Sequence, residues 1–239
     1  MIVALIPARL NSTRLKNKPL IKLNGVPLVI HVANKLKKCR KLSRIIICAD
    51  DKKIVKIGKL NGYESVLTSR KHRNGTERIN EVAKKIKSKL IIDVQCDAVF
   101  VDPKEIDKLI DFHFKNREFD IIIPHSKYKK KKEKSAVKIT TIQNKIIYMS
   151  RSDIPYEYFS KTNYFKRHQD FISFKPSALN KFCKSKPTPL EKIEGIELMR
   201  ALEIKLNIGT YLIKENNFVD SINTKSDLNS AIKIFRNLK

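Results

Sequence analysis

Cationic side chains follow the first apolar run of this chain. The run Ile2 to Ile6 has the composition of a buried β-strand, and it leads through Pro7 into a turn that carries Arg9, Arg14 and Lys18. Open α/β sheets bind ligands beyond the carboxyl ends of their strands, where such cations would meet phosphates. The turn lacks the glycines of a dinucleotide fingerprint or a P-loop, so its side chains would have to bind the phosphates. A solvated basic turn is the alternative.

An aspartate stands in a similar place after another apolar run. Asp97 follows the run Leu90 to Val94 by three residues, which puts it at the carboxyl end of that predicted strand, on the same edge as Arg9. Mg²⁺ is commonly held by one or two carboxylates together with substrate phosphate oxygens. Transfer of a nucleotidyl group depends on positioning and charge neutralisation, so cations and a metal suffice. A helix-cap or turn aspartate is the alternative.

Strands that alternate with helices must position these side chains. The alternation predicts an α/β fold with a largely parallel sheet covered on both faces. The predicted strands are apolar and mostly β-branched: Ile2 to Ile6, Arg44 to Ala49, Glu64 to Leu67, Leu90 to Val94 and Ile121 to Pro124. Proline and a hydroxyl residue mark the predicted helices between them: Pro27 to about Lys38, a helix capped by Thr76 and running through Lys87, and Lys104 to Phe114 after Pro103.

An antiparallel excursion is predicted at about residues 135–175. Gln143-Asn144 is a plausible hairpin turn between Val137 to Ile142 and Lys145 to Met149, and His168 to Phe174 is predicted to be one further strand. The remaining predictions are three helices around a strand: Pro176 to Phe182, Glu194 to Glu203 and Lys225 to Phe235 around Leu206 to Ile213.

The formal net charge of +27 is typical of nucleic-acid-binding proteins. The excess is mostly lysine and is spread along the chain, so we predict no nucleic-acid partner. The densest run, Lys129 to Lys134, favours an exposed loop, with contact to an anionic surface or an incidental nucleic-acid affinity as alternatives.

Length and composition indicate one domain over residues 1–239, because 41% hydrophobic content supports one sizeable core. No run approaches eighteen consecutive apolar residues and no cleavable signal precedes the first strand, which predicts a cytoplasmic protein without membrane insertion. The cysteines lack the paired spacing of zinc or redox motifs and are predicted to be reduced thiols: Cys39, Cys48, Cys96 and Cys183.

Short motifs occur in a fixed order along the chain. They are Ile6-Pro7-Ala8-Arg9, Ser12-Thr13-Arg14-Leu15, Lys18-Pro19-Leu20, Asn24-Gly25-Val26-Pro27-Leu28, Asn74-Gly75-Thr76-Glu77-Arg78, Val94-Gln95-Cys96-Asp97, Ser150-Arg151 with Ile154-Pro155-Tyr156, and Pro189-Leu190-Glu191 with Ile193-Glu194, Glu197 and Arg200. In order and spacing, from Val3 to about Leu228, they resemble the 3-deoxy-manno-octulosonate cytidylyltransferases, enzymes that make CMP-activated Kdo.

The resemblance implies a fold, a reaction and partners. The fold would be a three-layer, mixed, mostly parallel sheet of the nucleotide-diphosphosugar transferase type. The reaction would be attack of the anomeric hydroxyl of a 3-deoxy-ulosonic acid on the α-phosphorus of CTP, giving CMP-sugar and pyrophosphate. Mg²⁺, a homodimer formed through the excursion, and a role in lipopolysaccharide or related surface glycan synthesis are also implied.

The resemblance also assigns roles to individual residues. Arg9, Lys18 and Asp97 would be catalytic. The nucleotide would be bound by Ala8, Arg9, Ser12, Thr13, Lys18, Asn74, Gly75, Thr76, Arg78 and Gln95. Arg151, His168 and Glu197 match the pocket for the acidic sugar, where the planar guanidinium of Arg151 suits a carboxylate. For His168, a packed and hydrogen-bonded histidine is the alternative. Asp97 and Asn223 match metal-binding positions.

Three departures from the family pattern bear on substrate and activity. The family's Gly-Asp-Glu-Pro is Cys96-Asp97-Ala98-Val99 here, and a glycine at the first position indicates unusual torsions or close ligand approach. Asn223 stands where the family has a second metal-binding aspartate. The family's His-x-Gly-x-Tyr is His168 to Ile172 here, which would remodel the sugar pocket. A cytidylyltransferase for another acidic sugar, or a nucleotide-binding protein without turnover, therefore remains an alternative.

Overall fold

The computed structural model of the protein describes residues 1–10, 15–213, 221–222 and 224–237. Within these ranges, eleven strands form one mixed sheet and two short strands form a separate hairpin. The strands are β1 Ile2–Ala8, β2 Lys22–Leu23, β3 Val26–Pro27, β4 Arg44–Ala49, β5 Glu64–Leu67, β6 Leu90–Val94, β7 Ile121–Ile122, β8 His125–Tyr128, β9 Lys138–Ile142, β10 Lys145–Ser150, β11 Phe165–His168, β12 Phe171–Phe174 and β13 Ile208–Gly209. The helices are α1 Leu28–Leu36, α2 Lys52–Leu60, α3 Gly75–Ala83, α4 Pro103–Lys115, α5 Pro176–Lys184, α6 Pro189–Glu194, α7 Met199–Glu203 and α8 Lys225–Asn237.

The parallel part of the sheet carries the first half of the chain. The strand order begins β5-β4-β1-β6, and each of these neighbours pairs in parallel. Parallel strands align their carboxyl ends, so the residues that follow β1 and β6 lie at one edge of the sheet. The sequence prediction for these four strands is confirmed, with β1 extending to Ala8.

Two apolar layers cover the opposite faces of this sheet. Ala4 and Ile6 of β1 belong to the core that contains α1 and α4, whereas Val3 and Leu5 belong to the core that contains α3 and α5. All four side chains have no exposed surface. Alternation along a strand sends successive side chains to opposite faces, and both faces are apolar here because helices cover both.

The second part of the sheet is largely antiparallel. Its order continues β12-β7-β13-β10-β9-β11-β8, and among these described strands β7 and β13 are the one parallel pair. The predicted hairpin is confirmed, since β9 and β10 pair around a turn at Gln143, which has φ 50. The excursion begins before residue 135, because β8 starts at His125 and pairs with β11. The sequence analysis did not identify β8, which carries a polar Ser126-Lys127 pair.

The prediction of a single strand from His168 to Phe174 is wrong. β11 ends at His168 and pairs with β8 and β9, whereas β12 begins at Phe171 and pairs with β6 and β7. Gln169 occupies the crossing between these two parts of the sheet: its backbone N–H donates to Pro124 O at 2.9 Å and its Nε2 donates to Ser126 Oγ at 2.9 Å. The buried side-chain amide therefore fixes the break between β11 and β12.

The prediction of one helix from Glu194 to Glu203 is also wrong. α6 ends at Glu194 and is capped by Gly195, which adopts φ 62, a left-handed conformation that favours glycine, and α7 begins at Met199. The predicted strand Leu206 to Ile213 is paired as a strand only at Ile208–Gly209, with one further bridge between His125 and Leu212. The break after α6 places residues 196–198 in a turn between the two helices.

The lysine run lies in an exposed connection, as predicted. Residues 129–132 are exposed and residues 129–137 carry no regular secondary structure. Within the described ranges, each helix is too short or too polar to cross a lipid bilayer. The four cysteines are free thiols, with Cys39, Cys48 and Cys96 buried and Cys183 half-buried.

Candidate active site

A cleft of about 1160 Å³ opens at the carboxyl ends of β1 and β6 and extends to the antiparallel excursion. Most of the residues predicted to bind substrate line it: Ala8, Arg9, Lys18, Asn74, Gly75, Arg78, Gln95, Asp97, Arg151, His168 and Glu197. Thr76 lies behind the wall, with no exposed surface. Ser12, Thr13 and Asn223 lie outside the described residues. The structure therefore brings the predicted nucleotide and sugar residues to one cavity.

The cationic turn after β1 is anchored at both ends. Leu10 donates its backbone N–H to Asp50 Oδ1 at 2.9 Å, and Asn17 donates its backbone N–H to Leu10 O at 3.2 Å. Asn17 adopts a left-handed conformation with φ 55, after which Lys18 begins a short 3₁₀ helix, Lys18–Leu20. This geometry aims Lys18 into the cleft, where its ammonium forms an ion pair with Asp97 Oδ2.

Asp97 is the anionic counterpart of that turn. It is 5% exposed, and the Ala98 N–H closes a turn on Gln95 O at 3.1 Å, immediately after β6. The backbone N–H of Ile222 donates to Asp97 O at 3.4 Å, so the chain segment that precedes Asn223 passes beside Asp97. Burial raises the pKa of the Asp97 carboxyl, and the charge of Lys18 opposes that rise.

Cys96 occupies the glycine position of the family motif without backbone strain. It is absent from the described non-glycine residues with positive φ, so unusual torsions are not required at this position. Its side chain is 8% exposed and lies in the wall of the cleft. Burial, followed by the charge of Asp97, raises the pKa of the Cys96 thiol to about 12. The thiol is therefore protonated at neutral pH and is not a nucleophile.

The loop before α3 forms the neighbouring wall. The N-cap of α3 is Asn74, whose side chain accepts from the Glu77 N–H at 2.8 Å, so the prediction of Thr76 as the cap is wrong. Gly75 permits close packing on β1, since a Cβ at that position would lie 3.1 Å from Pro7 Cγ and 3.2 Å from Pro7 Cβ. The backbone at residues 74–75 can thus approach a bound base closely.

Arg78 is held in the floor of the cleft. Its Nη1 donates to Thr68 Oγ1 at 2.7 Å and to Ser69 O at 3.2 Å, and its Nη2 lies 3.5 Å from Asp50 Oδ2. The residue is 3% exposed, and burial lowers the pKa of its guanidinium while Asp50 opposes that change. Because Asp50 also accepts from Leu10, the same carboxylate links Arg78 to the cationic turn.

A buried acid lies beneath Gln95. Asp93 is 1% exposed, and the Gln95 Nε2 lies 3.3 Å and 3.5 Å from its two carboxyl oxygens. Burial, followed by the charges of Glu197 and Asp170, raises the pKa of Asp93 well above its usual range. The sequence analysis missed Asp93, although a lone acidic residue within the apolar run Leu90 to Val94 was an available signal.

Glu197 connects the sugar side of the cleft to α3. It lies between α6 and α7, and its Oε1 accepts a hydrogen bond from the Thr76 hydroxyl at 2.6 Å. Burial raises the pKa of the Glu197 carboxyl, whereas the Thr76 hydrogen bond and the charge of Arg200 lower it. Thr76 therefore orients a side chain of the opposite wall and does not cap its own helix.

Arg151 spans two walls of the cleft. Its Nη1 donates to Lys134 O at 2.9 Å, its Nε to Glu194 O at 3.2 Å and its Nη2 to Gly195 O at 3.1 Å. These bonds join the connection after β8 to the end of α6. The guanidinium thus has a fixed place at the sugar side of the cleft.

His168 lies at the end of β11. Its backbone N–H donates to Val137 O at 3.2 Å, and its Nδ1 lies 3.0 Å from Gln169 O. Burial lowers the pKa of its imidazole, and Asp170 opposes that change. A neutral ring can donate through one nitrogen and accept through the other, which suits recognition of a sugar hydroxyl.

Comparison with known proteins agrees with this geometry. The sequence profile of the cytidylyltransferase family matches residues 3–208. The 3-deoxy-manno-octulosonate cytidylyltransferase of Rickettsia canadensis is 36% identical over 99% of this chain and 97% of its own length. The protein of the same name from Nitratiruptor is 35% identical over 83% of this chain and 85% of its own.

The chain belongs to the 3-deoxy-manno-octulosonate cytidylyltransferase family. The fold agrees as well. A solved structure of a CMP:2-keto-3-deoxy-manno-octonic acid synthetase complexed with CTP superposes with a TM-score of 0.93 at 22% identity, covering 100% of this chain and 99% of that one.

Several cleft residues of this cytidylyltransferase were not identified from its sequence. Arg73, Lys127, Lys130, Arg167 and Asp170 line the cleft. The chain has many lysines and arginines, so nothing in the sequence distinguished these four cations from those on the surface. Asp170 lies in the connection between β11 and β12, where the predicted continuous strand would have placed it within a sheet. Its carboxylate adds negative charge near Asp93 and Asp97, as their raised pKa values show.

Proposed function

We propose that this protein couples CTP to 3-deoxy-manno-octulosonate or a close relative. The anomeric oxygen of the sugar acid forms a bond to the α-phosphorus of CTP, the bond between the α-phosphorus and the oxygen bridging to the β-phosphorus breaks, and pyrophosphate leaves. The anomeric proton passes to solvent. The observation that carries this proposal is the ion pair between Lys18 and Asp97. It lies at the carboxyl edge of the parallel sheet, in the same cleft as the predicted sugar-binding residues.

The side chains of the cleft can perform the transfer without an enzyme nucleophile. Arg9 and Lys18 would bind the phosphates and neutralise the charge that develops on pyrophosphate, which is the main task in such a transfer. Cys96 is the one thiol in the described wall of the cleft, and it is held protonated. Direct attack by the sugar therefore fits the groups that are present.

Mg²⁺ fits the donor set of this cleft. Asp97 offers a hard carboxylate oxygen beside the phosphate-binding cation, and Mg²⁺ typically combines one or two carboxylates with substrate phosphates and waters. The described residues contain no group of three or more His, Cys, Asp or Glu side chains suited to a metal, so substrate oxygens would complete the coordination. Bound there, Mg²⁺ would supply neutralisation of phosphate charge. Asp97 would hold it, with Asn223 as the second predicted ligand.

The acidic sugar would bind at the end of the cleft formed by Arg151, His168 and Glu197. Arg151 would face the sugar carboxylate, while neutral His168 and half-buried Glu197 would bind hydroxyl groups. A second candidate is an acidic sugar other than Kdo. Asp170 favours it, because this carboxylate lies in the cleft where the family pattern has no acidic side chain.

We further propose a homodimer formed through the excursion. Three neighbouring aromatic side chains of residues 135–175 are strongly exposed: Tyr156 at 83%, Tyr158 at 76% and Phe159 at 96%. Tyr158 and Phe159 pack edge to face, with ring centroids 4.7 Å apart. A second copy would remove this apolar surface from water.

A cytoplasmic enzyme that supplies CMP-sugar for lipopolysaccharide or a related surface glycan fits the proposed reaction.

Pyrophosphate release tests the proposed function. The purified protein is incubated with Mg²⁺, one of CTP, UTP, ATP or GTP, and one of several acidic sugars including Kdo and sialic acid. We expect release with CTP and a 3-deoxy-ulosonic acid together and with neither alone. Release with another acid and not with Kdo supports the second candidate. CTP binding without release from any acid would show a nucleotide-binding protein and contradict the proposal.

A further inference from the structure

Lys138 is a fully buried cation that the proposed reaction does not use. It is the first residue of β9, and its side chain has no exposed surface. Its Nζ donates to three backbone carbonyls: Glu133 O at 2.8 Å, Ala136 O at 3.1 Å and Arg151 O at 2.6 Å. The carboxylate of Asp153 lies 3.4 Å away. The three N–H donors of the ammonium are therefore matched by three acceptors.

The carbonyls that Lys138 binds belong to two walls of the cleft. Glu133 and Ala136 lie in the connection between β8 and β9, where Glu133, Ser135 and Val137 line the cavity. Arg151 follows β10 on the neighbouring strand and lines the sugar side. One ammonium thus joins the backbone of this wall to the backbone that carries Arg151.

A second set of hydrogen bonds, which involves the Arg151 side chain, connects the same wall to the end of α6. The Arg151 guanidinium donates to Lys134 O in the wall and to Glu194 O and Gly195 O at the end of α6. Glu194 in turn accepts from the Arg151 N–H at 3.1 Å and from the Ser150 hydroxyl at 2.8 Å. Arg151 is therefore held at its carbonyl, its amide and its guanidinium, and Lys138 supplies the first of these contacts.

Burial of a lysine is costly, and an apolar side chain would fill the same space without that cost. An apolar residue could not bind three carbonyls, however, and buried carbonyls without donors destabilise a loop. The exposed lysine run that precedes the wall is held by an ion pair between Lys131 and Glu157 and by the Lys132 N–H, which donates to Asp153 Oδ2 at 2.8 Å. The Lys138 ammonium adds the bonds that tie this connection to the backbone of Arg151.

We propose that Lys138 is a positioning residue for the acidic sugar, because it sets the place of Arg151 and of the 133–137 wall in the cleft. This inference rests on the proposed function. It assigns Lys138 no contact with substrate: the residue acts through the backbone of Arg151. Its loss should weaken use of the sugar and leave use of CTP unchanged, because the CTP side of the cleft is built on β1, β6 and α3.

The test replaces Lys138 with methionine, which keeps a long unbranched side chain and removes the ammonium. Lys166→Met is the matched control: Lys166 lies on the adjacent strand β11, donates from Nζ to one hydroxyl, Thr141 Oγ1 at 2.6 Å, and is not in the wall of the cleft. We expect Lys138→Met to raise the KM for the sugar by about tenfold or more, the scale of effect of a misplaced binding group, with the KM for CTP within about twofold of wild type. Lys166→Met should change neither.

Hydrogen exchange gives a readout that does not depend on activity. Without substrates, the amides of residues 133–137 should exchange faster in Lys138→Met than in wild type or Lys166→Met. If wild type forms no CMP-sugar, the proposed function fails, and the exchange rates still decide whether Lys138 holds the wall.

Three results would overturn the inference. They are unchanged exchange at residues 133–137 in Lys138→Met, an unchanged KM for the sugar, and equal increases in the KM values for both substrates, which would indicate general destabilisation. If Lys138→Met does not fold, Asp153→Asn decides, because it removes the negative charge next to the ammonium, while its amide oxygen can still accept the hydrogen bond from the Lys132 N–H. A rise confined to the KM for the sugar supports the inference, and an unchanged KM contradicts it.

Discussion

Lys18 and Asp97 form an ion pair across the carboxyl ends of β1 and β6. The pair is largely shielded from solvent, with side chains 13% and 7% exposed. The two residues are far apart in sequence and meet because their strands are parallel neighbours. In the proposed reaction a phosphate oxygen would take the place of Asp97 at the ammonium, which leaves the carboxylate for a hard cation.

Replacing Asp97 with asparagine should remove most of the transfer activity. The amide keeps the size of the side chain but loses the charge that would hold Mg²⁺, so kcat should fall by about 10²–10³-fold, the range for loss of a group that stabilises developing charge. Asp102→Asn is the control: Asp102 also lines the cleft, and it caps α4 through Lys104 N at 2.9 Å, a role that asparagine fills equally well. Near-normal Mg²⁺-dependent activity in Asp97→Asn would contradict the assignment.

Alanine at Arg9 or at Lys18 should weaken use of CTP much more than use of the sugar. Both cations line the phosphate side of the cleft, and their loss removes charge that would pair with the triphosphate. Steady-state kinetics with each substrate varied in turn measure the difference. Lys16→Ala is the control, because Lys16 belongs to the same turn but is exposed and lies outside the described cleft wall. Equal losses for both substrates would show that the two cations are only structural.

Valine at Thr76 should shift the pH dependence of sugar use. The Thr76 hydroxyl lowers the pKa of Glu197, so its removal raises that pKa and keeps the carboxyl protonated to higher pH. If ionised Glu197 binds sugar hydroxyls, the acid limb of kcat/KM for the sugar moves to higher pH in Thr76→Val. Thr141→Val, which alters a hydroxyl outside the described cleft wall, should leave the profile in place. Identical acid limbs in wild type and Thr76→Val would refute a role for ionised Glu197.

Asparagine at Asp93 should stabilise the protein at neutral and alkaline pH. The pKa of Asp93 is raised in the folded state, so its contribution to stability is fully present below the unfolded pKa and is lost as the pH rises towards the folded pKa. Asp93→Asn removes this dependence on pH. The thermal midpoint of the variant should exceed that of wild type by a few degrees at pH 8 and should approach it near pH 4. At this chain length, about 1 kcal/mol of stability corresponds to about 2–4 °C in the thermal midpoint. If the difference in thermal midpoint between Asp93→Asn and wild type were the same at pH 4 and at pH 8, this would argue against a neutral, buried Asp93.

The sequence predicts the parallel half of the fold well because its signals are local. β1, β4, β5 and β6 are short, mainly apolar runs separated by predicted helices, and the strand ends place Lys18 and Asp97 at one edge. The hairpin between β9 and β10 is equally local. These elements need no knowledge of distant contacts.

The errors lie where distant residues decide the local structure. Asn74 and Thr76 are both good helix caps, and the bond from Thr76 to Glu197 across the cleft leaves the cap to Asn74. Gln169 separates β11 from β12, and its side chain is fixed by a hydrogen bond to Ser126, which lies far away in sequence. The roles of the buried residues Asp93 and Lys138 likewise depend on contacts that cannot be inferred from spacing in the sequence.

The central claim is that the anomeric oxygen of the sugar attacks the α-phosphorus of CTP. It is tested most directly by the fate of ¹⁸O placed at the anomeric carbon of Kdo, in a short reaction with CTP and Mg²⁺ in ordinary water. Mass spectrometry of both products follows the label, and the label in unreacted Kdo corrects for exchange with solvent. We predict CMP-Kdo that carries the label in the oxygen between sugar and phosphorus, together with unlabelled pyrophosphate. Unlabelled CMP-Kdo from labelled Kdo, or CMP and pyrophosphate formed without any sugar conjugate, would contradict the account.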